Sequence, residues 1–459
     1  MDMPEEFCRR IEALPGNLLP LFQEAYRQPL RRGLRVNTAK IDADRFRQLF
    51  PLPLTPSPFA DNSFYLDESF KAGSDPLHHA GAYYMQEPSA SSAVSVLAPM
   101  PGERILDLCA APGGKSTQIA AALGDDGLLW SNEYVAARAR ILEQNVERMG
   151  CRRAIISNCD TRQLCNNLVG YFDAVLVDAP CSGEGMFRKE PQALSGWSPD
   201  NVLLCAARQS EILHNASIAV RPGGRLVYST CTFAPEENEW VIARFLAEHP
   251  DFQLETIDVP WGSSGFAAED IRQFSSAANT TVDLTKCRRI FPHQGGEGHF
   301  IALLSRSNDA PCAPTPDYAA AANDPCRQSA IELYGDCFVT QPKGVMVTIG
   351  NHVRLLPEKM PAVKGCGVIA AGVAVAEVCK NRLEPSHGIY AALPMENCRR
   401  AVNYTANDPM IRAFLHGEEL VCDGEKGWTA VAVEGITVGF GKSAGGKLKN
   451  RYPKGLRLL

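Results

Sequence analysis

Two cysteines stand where apolar, strand-like runs give way to turns. Cys181 lies in Asp178-Ala179-Pro180-Cys181-Ser182-Gly183-Glu184-Gly185, directly after the run FDAVLV at 172–177. Cys231 closes a second run, GRLVYSTCT at 224–232. A strand followed by an acid and a glycine-rich loop is what an open α/β sheet presents where it binds ligand, outside the carboxyl ends of its strands. Two thiols and a carboxylate at such strand ends point to nucleophilic, covalent chemistry. Taken singly, a free cysteine behaves as a small buried apolar residue. The chemical reading draws its weight from the residues around the pair.

Those residues outline a cofactor site. ERILDLCAAPGGKS (103–116) reads as strand, tight turn and helix start, with Ala110, Ala111, Pro112, Gly113, Gly114, Lys115 and Ser116 forming the turn. Its Gly-Lys-Ser ending imitates a phosphate loop, but that pattern needs glycine six positions before the lysine. Cys109 stands there instead, so a nucleoside-triphosphate loop is excluded. The glycines instead allow close approach of a ligand to the backbone. Glu133 ends the next strand, where mononucleotide-binding halves place a carboxylate on ribose hydroxyls. Asp160 is expected to end the third strand and Asp178 the fourth. Singly, each acid reads as a helix cap or turn residue; three at successive strand ends beside a glycine turn read as a site.

The elements that must hold these residues alternate. Strands are expected at the start of 103–116 and at 128–133, 154–160, 172–178 and 224–230, with helices at 135–150, 201–220 and 235–249 between or after them and a last strand at 298–306. Strands and helices of these lengths in alternation indicate an α/β fold with a doubly wound, mostly parallel sheet. The preceding residues 1–78 read as a small α+β unit. Its strand at 34–40 carries basic residues alternating outward, and His78 and His79 read as solvated loop residues. Residues 307–330, rich in Ala, Pro and Asp, read as a linker, and 331–459 as a small, mostly β domain of short apolar runs between Gly and Pro turns. The α/β region is thus 79–306.

Composition is that of a globular protein: 459 residues, 45% hydrophobic and 21% charged. The sixteen cysteines and nine histidines include no Cys-x-x-Cys pair and no metal spacing, and no secretory signal is legible, so reduced thiols in a cytoplasmic protein without a metal are expected. The run GVIAAGVAVAEV (367–378) is short and carries Glu377, which excludes a membrane span. A net charge of −6 conceals basic patches. Residues 441–459 carry Lys442, Lys447, Lys449, Arg451, Lys454 and Arg457 with no acid, and residues 29–37 form a second cluster. Patches rather than totals make an RNA-binding surface, though a solvated basic tail reads the same way.

Taken together, LDLCAAPGGKS, NCD, VDAPCSGEG and YSTCTFAPEENE resemble the Sun/NOP family of RNA cytosine-5 methyltransferases. The carboxyl-terminal GKSAGGKLKNRYPKGLR is similar to the bacterial 16S rRNA methyltransferase F branch, and RVNTAK, YYMQEPSAS and EGHFIALL match in order. The resemblance implies a Rossmann-like methyltransferase sheet and a PUA-like carboxyl-terminal domain. It implies S-adenosylmethionine at Ala110–Ser116, with Glu133 on the ribose, Asp160 near the adenine, and Asp178 near the methionyl end and the target base. The implied partner is RNA, 16S rRNA or the small ribosomal subunit; no protein partner is implied. Cys231 is the implied nucleophile and Cys181 the residue assisting release, although a Pro-Cys cysteine performs the attack in DNA cytosine methyltransferases. A thiolate added to C6 makes C5 nucleophilic. Lys115 is a candidate to favour the thiolate, and Asp178 is placed to hydrogen-bond the exocyclic amine and N3 edge of the base, where a neutral acid would help to protonate N3 as charge builds. The segment 186–199 offers Arg188, Lys189 and Trp197 as a substrate loop, with Trp197 reading equally as a packing residue. A non-catalytic RNA-binding assembly factor is disfavoured by the presence of both cysteines, Asp178 and Lys115. A DNA or small-molecule methyltransferase is disfavoured by the basic flanks.

Overall fold

The computed structural model describes residues 3–275, 280–319, 323–380 and 382–458. The expected linker therefore lies outside the described residues at 320–322, as do the extremes of the first and last expected domains. Its centre is a ten-stranded sheet. In chain order the strands are β1 (Arg104–Asp107), β2 (Leu128–Asn132), β3 (Ala154–Ser157), β4 (Phe172–Asp178), β5 (Val220–Thr230), β6 (Phe252–Glu255), β7 (Ser263–Ser264), β8 (Arg288–Ile290), β9 (His299–Arg306) and β10 (Val368–Ala371). They lie in the order β7-β8-β9-β5-β4-β1-β2-β3-β10, with β6 pairing β9.

The five central strands β3, β2, β1, β4 and β5 are parallel, and β9 joins antiparallel to β5. The strand order reverses between β1 and β4, and that switch point is where a doubly wound sheet opens a crevice. Burial on both faces explains the continuous apolar runs of the central strands: Ala174, Val175, Leu176 and Val177 of β4 are all fully buried. The helices between strands begin where the sequence can cap them. The carboxylate of Asp160 accepts from the N–H groups of Arg162 and Gln163 at the start of Thr161–Asn167. The hydroxyl of Ser198 accepts from Asn201 N–H, ahead of Pro199 in the first turn of Pro199–Ala219.

Several local expectations are corrected. β3 stops at Ser157 because Asp160 is needed as a helix cap, so Asp160 does not end a strand. The last helix of the region spans Glu239–Glu248, later in its start than 235, because 235–238 is a turn. The amino-terminal strand spans Arg32–Val36. Arg35 does not point outward: it is fully buried and donates to Gln86 Oε1, Thr117 Oγ1 and the carbonyl of Gly114. Tyr83–Met85 pairs with that same strand, so these residues belong to the amino-terminal sheet. His78 packs against the Tyr83 ring and His79 is 3.0 Å from Tyr452 Oη, so neither is a solvated loop residue.

The flanking regions grip the central sheet closely. Two amino-terminal helices, Glu5–Glu12 and Leu18–Arg27, place Phe7 and Phe22 against Phe187, Phe233 and Phe291. Arg10 donates two 2.8 Å hydrogen bonds to Glu236. Beyond the central sheet, a four-stranded and a five-stranded sheet form the mostly β carboxyl-terminal part. β10 comes from that part: it runs antiparallel to β3 and completes the edge of the central sheet. Within the expected linker, Tyr318–Ala319 pairs with Lys359–Met360, and Asp317 accepts from Arg104 at 2.6 Å and from Tyr171 Oη at 2.7 Å. The basic residues at the end of the chain are not a loose tail either, since Lys447–Asn450 is a strand paired with Ile436–Ala444. Among the described residues no helix is long and apolar enough to cross a membrane.

Candidate active site

At the carboxyl ends of β1, β4 and β5 lies a cavity of about 490 Å³. Its floor is the turn after β1. Gly113 has φ of 113°, and a Cβ there would meet Leu142 Cδ1 at 3.1 Å, so only glycine lets the chain swing into the following helix. The turn is fixed from behind, where Arg138 donates to the carbonyl of Ala111 and Asn145 to that of Pro112. Ala110, Ala111, Pro112, Gly114 and Lys115 line the cavity. Ser116 instead points into the protein, where its hydroxyl donates to Asp107 Oδ2 at 2.6 Å. Asp107 Oδ1 is buried and has no partner among the described residues, and burial pushes this carboxyl up to about 7.

Of the three acids expected to share the cleft, Asp178 lines it. Lys115 Nζ donates to Asp178 Oδ2 and Ser229 Oγ to Oδ1, both at 2.7 Å. Burial alone would raise this carboxyl, but the Lys115 ammonium and the two hydrogen bonds hold it below its ordinary value. This environment favours the carboxylate form of Asp178, which can accept a hydrogen bond from a base but not protonate it. Glu133 follows β2 and is turned toward its own helix start, accepting from Val135 N–H at 2.8 Å with Arg138 at 3.4 Å. Asp160 is exposed, at its cap position.

The thiols meet at the top of the sheet. Cys181 Sγ and Cys231 Sγ are 3.3 Å apart and both are free. Cys231 lines the cavity. Its hydrogen bond to Cys231 and its burial hold the Cys181 thiol well above its ordinary value, so Cys181 stays protonated and its S–H is available to the neighbouring sulfur. Gly185 makes the approach of the two loops possible. Its N–H donates to the Cys231 carbonyl, and a Cβ at this position would sit 2.8 Å from that oxygen.

Two buried carboxylates, which the sequence reading passed over, tie the loops together. Glu184 accepts from Thr232 Oγ1, the N–H of Phe233 and Trp197 Nε1. Glu237 accepts from the N–H of Ser182 and from Gln209. Trp197 is thereby a packing residue, edge-on to Phe7 at 5.7 Å. In the expected substrate loop, Arg188 lies 3.4 Å from Glu297, while Lys189 is exposed at the cavity wall with Arg31 and Arg32. His299 lines the same cavity, and in the sequence only its place in the EGHFIALL run points to it.

Comparison with known proteins covers nearly all of the chain. Residues 94–305 match the model of the family described as 16S rRNA methyltransferase RsmB/F. Residues 3–88 match the N-terminal domain of 16S rRNA methyltransferase RsmF, 334–393 its first C-terminal domain, and 401–458 its PUA domain. The chain is 31% identical over 476 aligned positions to ribosomal RNA small subunit methyltransferase F of Klebsiella pneumoniae, covering 99% of this chain and 96% of the relative. It is 32% identical to the protein of that name from Vibrio campbellii, covering 99% and 97%. Among solved structures, a methyltransferase homologue from Pyrococcus horikoshii superposes with a TM-score of 0.57 at 29% identity, covering 66% of this chain and 95% of that one. NSun6 from the same organism, solved with SFG, gives 0.55 at 22% identity, covering 67% and 99%, which supports the fold.

Proposed function

The chain belongs to the 16S rRNA methyltransferase RsmB/F family, and on that premise we propose that it methylates C5 of cytosine in 16S rRNA through a covalent bond between Cys231 and C6 of the base. The observation that carries this reading is the thiol pair, in which Cys231 faces the cavity beside Asp178 and a protonated Cys181 stands 3.3 Å behind it.

S-adenosylmethionine fits what the floor of the cavity leaves open. The unpartnered Asp107 Oδ1 suits a cationic amine, whose charge would restore ionisation to a carboxyl that burial holds near neutrality. Ala110, Ala111, Pro112, Gly113 and Gly114 offer backbone for close approach, while Lys115 and Ser116 hold Asp178 and Asp107 in place. Glu133 and Asp160 follow β2 and β3 in the chain, and on this reading they serve the ribose and the adenine. When bound, the cofactor supplies an electrophilic methyl group.

The chain's own residues do the rest. Addition of the Cys231 thiolate to C6 breaks the aromatic system and makes C5 nucleophilic. Asp178, as a carboxylate, accepts from the exocyclic amine and so orients the base. After methylation C5 loses its proton to solvent, and the C6–S bond breaks with its electron pair returning to Cys231. The Cys181 S–H then donates to the departing thiolate. RNA reaches this cavity past Arg31, Arg32 and Lys189, and the base must leave its stack to enter, at a cost of about a few kcal/mol.

Bisulfite mapping of 16S rRNA from cells lacking the chain, against the parent, tests the reading. At least one cytosine should lose its methyl group; identical maps would overturn it.

A further inference from the structure

His299 is the first residue of β9. The ladder pairs Phe300 with Thr230 and Ile301 with Ser229, so the next position across from His299 is Cys231. On the other side of β5, Ser229 is in register with Asp178. The imidazole thus belongs to the same row of strand ends as the nucleophile and the carboxylate. It is 6% exposed and lines the cavity, and neither ring nitrogen has a hydrogen-bond partner among the described residues. The Gly298 backbone comes near the ring without an aligned hydrogen bond. A buried imidazole whose nitrogens are both unsatisfied costs free energy unless something that enters the cavity satisfies it.

The chemistry of the proposed reaction says what that is. Addition of sulfur to C6 pushes negative charge toward N3 and O2 of the pyrimidine. Asp178 cannot answer that charge, because it is held ionised and can only accept. Lys115 uses one of its three N–H donors on Asp178, and the 2.7 Å ion pair holds the ammonium against that carboxylate. The cavity therefore needs a donor for the acceptor edge of the base, and an unengaged N–H is available next to the nucleophile. Resting on the cytosine-C5 reading above, we infer that His299 is a catalytic residue that donates a hydrogen bond to the O2/N3 edge of the target base and stabilises the charge that develops as Cys231 adds. No proton is transferred in this step; the ring stays neutral, and a donor placed where charge develops lowers the barrier more than it tightens binding. Burial and the nearby Lys115 ammonium hold the imidazole down at about 4, in line with a neutral ring.

The test is steady-state methylation of 16S rRNA by the full-length protein carrying His299→Ala, His299→Phe or His299→Gln. Phe keeps a flat ring of similar size without an N–H; Gln keeps an N–H without the ring. His299→Ala and His299→Phe should lower kcat about 100-fold, the usual effect of losing one such donor. KM and cofactor affinity should stay within about twofold, and His299→Gln should recover most of the rate. A role in packing or stacking gives the opposite order, with Phe active and Gln not, and overturns the inference. So does an unchanged kcat in His299→Ala while wild-type protein methylates C5, a result that leaves the cytosine reading standing. Wild-type protein that leaves C5 unmodified overturns that reading, and this role for His299 with it.

Discussion

Lys115 Nζ lies 2.7 Å from Asp178 Oδ2, with the lysine side chain 11% exposed and the carboxylate 31% exposed toward the cavity. Breaking a buried pair by removing one partner strands the other charge. Lys115→Met should therefore cost about 3 kcal/mol, at the low end of the usual range because the carboxylate is partly exposed. The sign with pH follows from the directions of the two shifts. Asp178 is held below its ordinary value, so its contribution to stability is present above the unfolded carboxyl's pKa and is lost as pH falls through the folded one. Lys115 is raised, as Asp178 outweighs the effect of burial; its contribution is lost only as pH rises through its folded value. Urea unfolding of wild type and Lys115→Met should differ most near neutrality and converge below the ordinary carboxylate range. A constant gap across that range would remove the ion pair as the cause.

The two cysteines should separate in a trapping experiment. Cys231→Ala cannot form the adduct, and it should be inactive while still binding cofactor. Cys181→Ala should enter the adduct but leave it slowly, accumulating a protein–RNA complex stable on a denaturing gel. A complex that accumulates with Cys231→Ala instead would reverse the roles. Full turnover by both variants would show that neither thiol takes part.

Glu184 holds the Cys231 loop through two hydrogen bonds, accepts a third from Trp197, and is 1% exposed. Glu184→Ala leaves those donors buried and unsatisfied, and it should cost about 3 kcal/mol in chemical denaturation. Glu184→Gln keeps one acceptor oxygen and should cost less. Equal losses would mean that packing, rather than hydrogen bonding, anchors the loop.

The carboxyl-terminal basic residues make a salt-dependence prediction. Lys447 and Lys449 are exposed on a paired strand, and Lys442, opposite Lys449, lies 4.8 Å over the Trp428 ring. If this face contacts phosphates, Lys447→Ala and Lys449→Ala should each lower the slope of log affinity against log salt by about 0.7–0.9. An unchanged slope would leave the face without a role in RNA binding.

What could be seen in advance was local. The turn from Ala110 to Ser116, the Pro-Cys loop and the alternation of strands and helices are all encoded within short windows. Arg35 was misplaced because strand alternation assigns a basic residue to solvent, whereas three acceptors contributed by distant segments pay for its burial. Asp160 has the same sequence signature as a strand-end ligand and as a helix cap, and only the observed end of β3 separates them. His299 could not be placed opposite Cys231 without the β5–β9 register, which joins segments far apart in the chain. Val368–Ala371 reads as part of a separate domain for the same reason: nothing within it says which sheet it joins.

That last strand has a consequence for the order in which the protein can fold. During synthesis every central strand through β9 is made before β10 exists, so the outer edge of β3 stays bare while the intervening segment is still being added. An unpaired strand edge is a template for pairing with other chains, and long-range sheet closure is the step at which aggregation competes with folding. A fragment ending at Arg306 would keep every residue of the cavity wall and yet carry that open edge permanently. Shortened forms of the chain are therefore expected to lose solubility before they lose any group that does chemistry, and residues 368–371, remote from the cavity, set the shortest length that remains soluble.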